Sequence, residues 1–224
     1  MTNEINQGHR KRLKDKFLEH PDSMLEYELL ELILFYAIPR KDVKTLAKTL
    51  LNDFGSLTKL FNANKLELLK YDNITENTYT LLKLIKKSHS FLLLKEIKNK
   101  HIITNWSDVL DYCYSELAFE KNEFIKILYL NSKNYVIKEE TLQEGTINYV
   151  NINLREIIKK NLEIGAMSFI LIHNHPSGDF NPSREDIEIT LKLAKIGANL
   201  NITLHDHIII SKQGAFSFKN SNLL

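Results

Sequence analysis

A layered α/β domain preceded by a helical segment is the fold class this chain predicts, and three observations carry it. Up to about residue 100 the apolar residues recur with helical spacing almost throughout. After His101, short strand-like apolar runs interleave with helical patterns, as in a mostly mixed sheet covered by helices. The charge shifts with the pattern: residues 1–100 hold 18 Lys and Arg against 13 Asp and Glu, net +5, whereas residues 101–224 hold 12 against 15, net −3. The expected organisation is a helical domain over 1–100 and an α/β domain over 101–224.

Element by element, the basic run His9 to Lys16 belongs to a first helix. Ser23-x-x-Glu26 predicts the start of an apolar-rich helix that stops near Pro39. Asp42 caps the next, through about Asp53, and Gly55 suits its stop; a long helix follows Thr75. Phe17, Phe35, Tyr36, Phe54 and Phe61 fall at helix-compatible positions and read as core. A helix near Ser107 to Phe119 carries the single Cys113, which reads as core and leaves no internal disulfide. Strands at Glu123 to Leu130 and Tyr135 to Leu142 are joined by the turn residues Asn131 to Asn134. A helix over roughly Leu154 to Glu163 precedes an apolar strand from Met167 to Ile172. A helix from Ser183 and a closing pair of strands around Gly214 complete the chain.

The 224 residues can bury a sizeable core. No run approaches a membrane span, and the polar N-terminus lacks the apolar core of a signal peptide. The expectation is a protein of the reducing cytoplasm with no membrane partner. Phosphate loops, dinucleotide fingerprints, Cys-rich metal motifs and internal repeats are all missing from the sequence.

The most informative run is H-N-H-P-S-G-D-F-N-P-S-R-E-D, from His173 to Asp186. Side chains on a strand repeat direction every second residue, so His173 and His175 point to one side. Two imidazoles converging on a point suit a divalent transition metal, most often zinc. Pro176, Gly178 and Pro182 force an irregular loop, and Asp186 lies in the first turn of the helix that follows, where the dipole favours a carboxylate. Two His and one carboxylate leave a fourth tetrahedral position open, as in hydrolytic sites. Ser183 and Asp186 also form a capping box that needs no metal, but that box explains neither the paired His nor the loop. His205-Asp206-His207 is a weaker constellation, better suited to supporting that site or to packing than to a second metal.

H-x-H, seven residues, Ser, two residues, Asp resembles the signature of the JAMM (MPN-plus) metallopeptidases. H-N-H-P-S-G followed by P-S-x-x-D is similar to the RadC branch, historically called DNA repair proteins. The resemblance extends to E-G-T at Glu144 to Thr146, D-H-I-I-I at Asp206 to Ile210, G-H-R-K-R-L at Gly8 to Leu13 and the segment Tyr27 to Arg40, almost the whole chain. It implies a JAMM/MPN-like, cytidine-deaminase-like domain with a mixed sheet, and Zn2+ on His173, His175 and Asp186. It implies a catalytic glutamate upstream of the Gly-Thr pair. The best match is Glu140, with Glu139 and Glu144 as nearby alternatives. That carboxylate would take a proton from the attacking water and return it to the leaving amine, while Ser183 would donate to the developing oxyanion.

The family also implies a helix-hairpin-helix-like N-terminal region, whose hairpin glycines let backbone N–H groups approach a phosphate. At the matching place this chain reads Y-D-N-I-T-E-N, with Asn73 and Thr75 where glycines are expected. Lys greatly outnumbers Arg, which argues against sequence-specific DNA reading and leaves weak, nonspecific nucleic-acid binding through 1–100. The first functional expectation is therefore a zinc-dependent hydrolase of a peptide or isopeptide amide, with a protein or peptide substrate. The second is a DNA-processing or DNA-repair-associated factor, and the third a noncatalytic module that keeps a metal for stability.

Overall fold

The structure, a computed structural model, describes residues 2–102, 106–144 and 153–224. The chain divides into two compact units, Met1–Ser88 and His89–Leu224. The division falls inside a helix, somewhat before the edge expected at residue 100.

The first unit comprises α1 (Thr2–Glu19), a 3₁₀ turn (Pro21–Ser23), α2 (Glu26–Ala37), α3 (Lys44–Phe54), α4 (Leu57–Asn62), α5 (Lys65–Leu68) and the first part of α6 (Glu76–Lys98). Leu30 and Leu34, one turn apart on α2, meet Leu13, Ala47, Leu50, Leu60 and Leu82 in its core. Gly55, at φ 81°, ends α3 in the left-handed conformation expected of it. Ser23 does not cap α2. Its hydroxyl donates to His20 O, and the Glu28 carboxylate instead reaches back to the Leu25 N–H at 2.9 Å. Phe17 and Tyr36 are exposed rather than core, because only part of each helix circumference faces the interior.

The basic residues of α1 are largely engaged within this unit. Arg10 donates to the carbonyls of Phe35, Ile38 and Lys41 at 3.1, 2.9 and 2.7 Å and lies over the Phe35 ring. His9 pairs with the buried Glu31, and Lys16 with Glu28.

In the second unit a five-stranded mixed sheet runs in the order β2-β1-β3-β4-β5. The strands are β1 (Phe124–Leu130), β2 (Val136–Glu144), β3 (Ser168–Asn174), β4 (Thr203–Ile210) and β5 (Ala215–Ser217). The helices are α7 (Trp106–Leu117), α8 (Leu154–Ile164) and α9 (Arg184–Ala198). β3 and β4 are parallel, which requires the crossover that α9 makes, and the other pairs are antiparallel. Asn131 and Asn134 build the β1–β2 turn. Asn131 Oδ1 accepts from Lys133 N and Tyr135 N, and Asn134 takes φ 56°.

Alternate residues of the buried strands feed two cores. Leu128, Ile170, Ile172 and Ile208 meet Val109, Cys113 and Leu117 of α7 on one face. Ile125, Ile127, Phe169 and Leu171 meet Ile157 and Ile158 of α8 and Leu193 of α9 on the other. Burial pushes the Cys113 thiol up to about 12, so it is inert packing. A charge interrupts the α7 face: Lys126, 4% exposed, donates to Glu116 at 2.9 Å, Glu139 at 3.4 Å and the Tyr112 hydroxyl at 2.9 Å. Tyr112 in turn donates to Glu139. Among the described residues no helix is long and apolar enough to cross a membrane.

Candidate metal centre

β3 is buried along its whole length and ends at Asn174, at the carboxyl end of the parallel pair, where open α/β sheets commonly place ligands. His175 N donates to Ile210 O at 2.8 Å, which keeps the second histidine beside β4 before Pro176 turns the chain away. Gly178 adopts φ 99°, and its carbonyl accepts from Ser211 Oγ at 2.6 Å, so the β4–β5 turn anchors the loop. The loop delivers Ser183 as the N-cap of α9.

His173, His175 and Asp186 are brought together, one ligand atom from each within 4.8 Å of the others. His173 Nε2 and His175 Nε2 are 2.9 Å apart, and Asp186 places Oδ1 3.2 Å from His173 Nε2 and Oδ2 3.5 Å from His175 Nε2. Ligand atoms about 2.0–2.1 Å from a tetrahedral Zn2+ would sit roughly 3.3 Å from one another. The donor set and its spacing fit such an ion.

Proton positions follow from the outer partners. The Thr190 hydroxyl donates to Asp186 O at 2.5 Å, so it accepts from His207 Nδ1–H at 2.6 Å. A neutral His207 then has a bare Nε2, which accepts from His173 Nδ1–H at 2.8 Å. His207 stays neutral because burial, then the neighbouring His173, holds its pKa well below the ordinary value. This chain leaves the His173 Nε2 lone pair turned to the cluster. His175 Nδ1–H donates to Asp179 O at 2.8 Å, which directs its Nε2 the same way. Burial disfavours charge on His175, but Asp186 and the Asp179 carbonyl outweigh it and raise its pKa. Asp186 is also opposed by burial, yet the neighbouring imidazoles of His173 and His175 hold it far below the usual carboxylate range.

Asp186 serves the cap as well as the cluster by dividing its oxygens. Oδ2 accepts from Ser183 N at 2.7 Å and Ser183 Oγ at 2.6 Å, while Oδ1 faces His173. Ser183 Oγ in turn accepts from Asp186 N at 3.1 Å.

The structure does not bring Glu140 to this cluster. It pairs with Ile127, across from Leu171, about 10 Å from β3 over two strand spacings. Its carboxylate accepts from Lys160 at 3.0 Å and Tyr129 at 3.3 Å. Burial works to raise its pKa, but Lys160 wins and lowers it. Glu139 points to the opposite face, toward Tyr112 and Lys126. The side chain of Glu144, and Gly145 and Thr146 with it, lie outside the described residues.

Glu123 is the carboxylate that the sequence reading missed. Glu123 stands directly before β1, two residues from Ile125, which pairs with His173 and ends the β1–β3 ladder. Burial raises its pKa, offset by His173 and His175 and reinforced by Asp186. The available signal was an acid standing directly before the apolar run Phe124 to Leu130.

His207 supports the ligands, while Asp206 braces the sheet edge. Asp206 accepts from Ser217 Oγ, Lys219 N and His207 N at 2.5, 3.0 and 2.7 Å. His205-Asp206-His207 is not a second metal site among the described residues. In the N-terminal unit Asn73 takes φ 68°, whereas Thr75 bonds with Thr78 at the start of α6 and is absent from the positive-φ residues. The second expected glycine conformation is therefore not adopted.

A family model described as a RadC-like JAB domain matches residues 103–223, more than half of the chain.

Proposed function

The chain belongs to the RadC-like JAB domain family, and on that premise we propose that it is a zinc-dependent hydrolase that cleaves a peptide or isopeptide amide. The observation that carries the reading is the convergence of His173 Nε2, His175 Nε2 and the Asp186 carboxylate, with Glu123 two residues from the partner of His173 on β1. Zinc bound there would supply Lewis acidity and bring the pKa of water at the open position toward neutrality. Every other task falls to side chains. His207 and Asp179 O hold the two imidazoles with Nε2 free to coordinate. Glu123, rather than Glu140, takes the proton of the attacking water; its half-buried setting keeps the resulting acid ready to protonate the leaving amine. Ser183, at the capped helix end, donates to the developing oxyanion after its proton turns from Asp186 Oδ2.

The test incubates the zinc-loaded full chain with casein peptides, a lysine-linked isopeptide, and single- and double-stranded oligonucleotides, beside Asp186→Asn. Amide cleavage that needs zinc and vanishes in the variant supports the reading. Cleavage of oligonucleotides alone would favour a DNA-processing role, and no metal-dependent cleavage of either class would sink the hydrolase.

A further inference from the structure

We propose that Asn174, between the two histidines, is a positioning residue for Glu123. Its side chain ties down the backbone on both sides of that glutamate and so sets the distance from the carboxylate to the metal cluster. The inference rests on the reading of Glu123 as the base.

Asn174 is fully buried. Its Oδ1 accepts from Phe124 N at 2.8 Å, and its Nδ2 donates to Asn122 O at 2.9 Å. Those two groups belong to the residues immediately before and after Glu123. The β1–β3 ladder runs as far as Ile125 opposite His173. Just past β3, His175 N donates to Ile210 O of β4 and Pro176 has no N–H to offer, so neither backbone nitrogen serves β1. The Asn174 amide, one donor and one acceptor in a plane, takes the place of a peptide group and extends the ladder by one step. Aspartate would keep the acceptor and lose the donor, and alanine would lose both.

The consequence is a division of labour within three consecutive residues. The backbone around Asn174 carries the two ligands on one face of the sheet. Its side chain holds the neighbouring strand end, which carries Glu123, a carboxyl on which His173, His175 and Asp186 all act. Neither ligand depends on the Asn174 side chain for its own hydrogen bonds, which run to His207 and to Asp179. Removing the amide should therefore displace the base and spare the metal.

The test uses the full chain loaded with Co2+ as a paramagnetic probe, comparing wild type, Asn174→Ala, Asn174→Asp and Glu123→Gln. Metal content, the shifted imidazole signals of His173 and His175, exchange of the Phe124 amide and the cobalt-induced shift of the Glu123 carboxyl carbon are read together. Asn174→Ala is expected to keep about one metal per chain and unchanged imidazole signals. Its Phe124 amide should exchange at least about tenfold faster, and its Glu123 carbon should lose most of its shift, with hydrolysis down roughly 10- to 100-fold. Asn174→Asp should fall between the two, and it decides the matter if the alanine variant fails to fold. The double variant Asn174→Ala/Glu123→Gln should hydrolyse no more slowly than Glu123→Gln alone. A Glu123 signal unmoved in the variants overturns the proposal, as does one that moves only together with the imidazole signals. Wild-type hydrolysis by Glu123→Gln would defeat the assignment of the base instead, leaving the cobalt shifts to judge the clamp.

Discussion

His173 Nδ1 and His207 Nε2 lie 2.8 Å apart in the buried interior, and the direction of that hydrogen bond is set from the far side of His207. Thr190, its own proton spent on Asp186 O, obliges His207 to carry hydrogen on Nδ1. His207→Phe would keep the aromatic stack on Phe218 while deleting the acceptor. Zinc affinity should fall about 10- to 100-fold with the fold intact, as when a group orienting a metal-bound imidazole is lost. Competition with a chromophoric chelator measures it. Unchanged affinity would show that His173 needs no such orientation.

The ligand set itself should bind about one zinc per chain. His173→Ala and Asp186→Asn should each sharply reduce occupancy, since losing one of three ligands leaves a weak site. Elemental analysis of the purified variants is sufficient. Full zinc retention by His173→Ala/His175→Ala would place the metal elsewhere.

Without metal, thermal stability should peak near neutral pH, for opposite reasons on either side. His175 has a raised folded pKa, so its contribution is complete below the ordinary histidine value and is lost as pH rises through the raised one. Buried His207, and His205 at about 4, have lowered pKa values. The unfolded chain then binds more protons, and stability falls as pH drops through about 6.5. Zinc binding should run the other way from His175, tightening about tenfold per pH unit while its proton must be displaced. Melting curves with and without chelator test both, and a metal-free Tm that climbs steadily from pH 6 to 9 would contradict the His175 assignment.

Glu123→Gln should retain zinc and lose roughly a hundred- to ten-thousand-fold in hydrolysis, the usual worth of a positioned base. Glu140→Gln, which breaks contacts with Lys160 and Tyr129, should leave the rate intact. Steady-state rates normalised to zinc content separate them. The reverse pattern would restore Glu140 as the base.

Duplex DNA should bind weakly, with a dissociation constant no tighter than about 10⁻⁶ M at physiological salt and a loss of affinity as salt rises. Arg10 is committed to three backbone carbonyls, and Thr75 opens a helix instead of a phosphate cradle. Fluorescence anisotropy across a salt series reads this directly, and tight salt-resistant binding would point to a recognition surface other than the hairpin.

Much of the candidate cluster of His173, His175 and Asp186 was legible because its placement depends on local rules. Strand alternation puts His173 and His175 on one face, and a helix N-cap places Asp186 beside Ser183. The place of Glu123 was not, because it depends on which residue of β1 lies opposite which residue of β3, and antiparallel register is a tertiary property. The resemblance implies Glu140, which the fold pairs with Lys160 and Tyr129, whereas Glu123 stands at the head of β1, whose Ile125 pairs with His173. Helix and strand limits in the second unit lie within a residue or two of expectation, since each apolar run is closed by a turn or cap. Ser23 misled because Glu28 satisfies the Leu25 N–H and leaves the serine to its own turn.

The salt-bridged Lys126 acts as a proofreading device for assembly of the sheet. A slip of β1 by one residue would swing its ammonium away from Glu116, Glu139 and Tyr112 and onto the apolar face formed by Phe169 and Leu171 of β3. An unpaired buried charge of that kind costs several kcal/mol, enough to make the misaligned sheet a rare species. The same slip would carry Glu123 off the histidine face. Alignment of the strand end that carries Glu123 is thus enforced by charges on the opposite face of the sheet, away from His173 and His175.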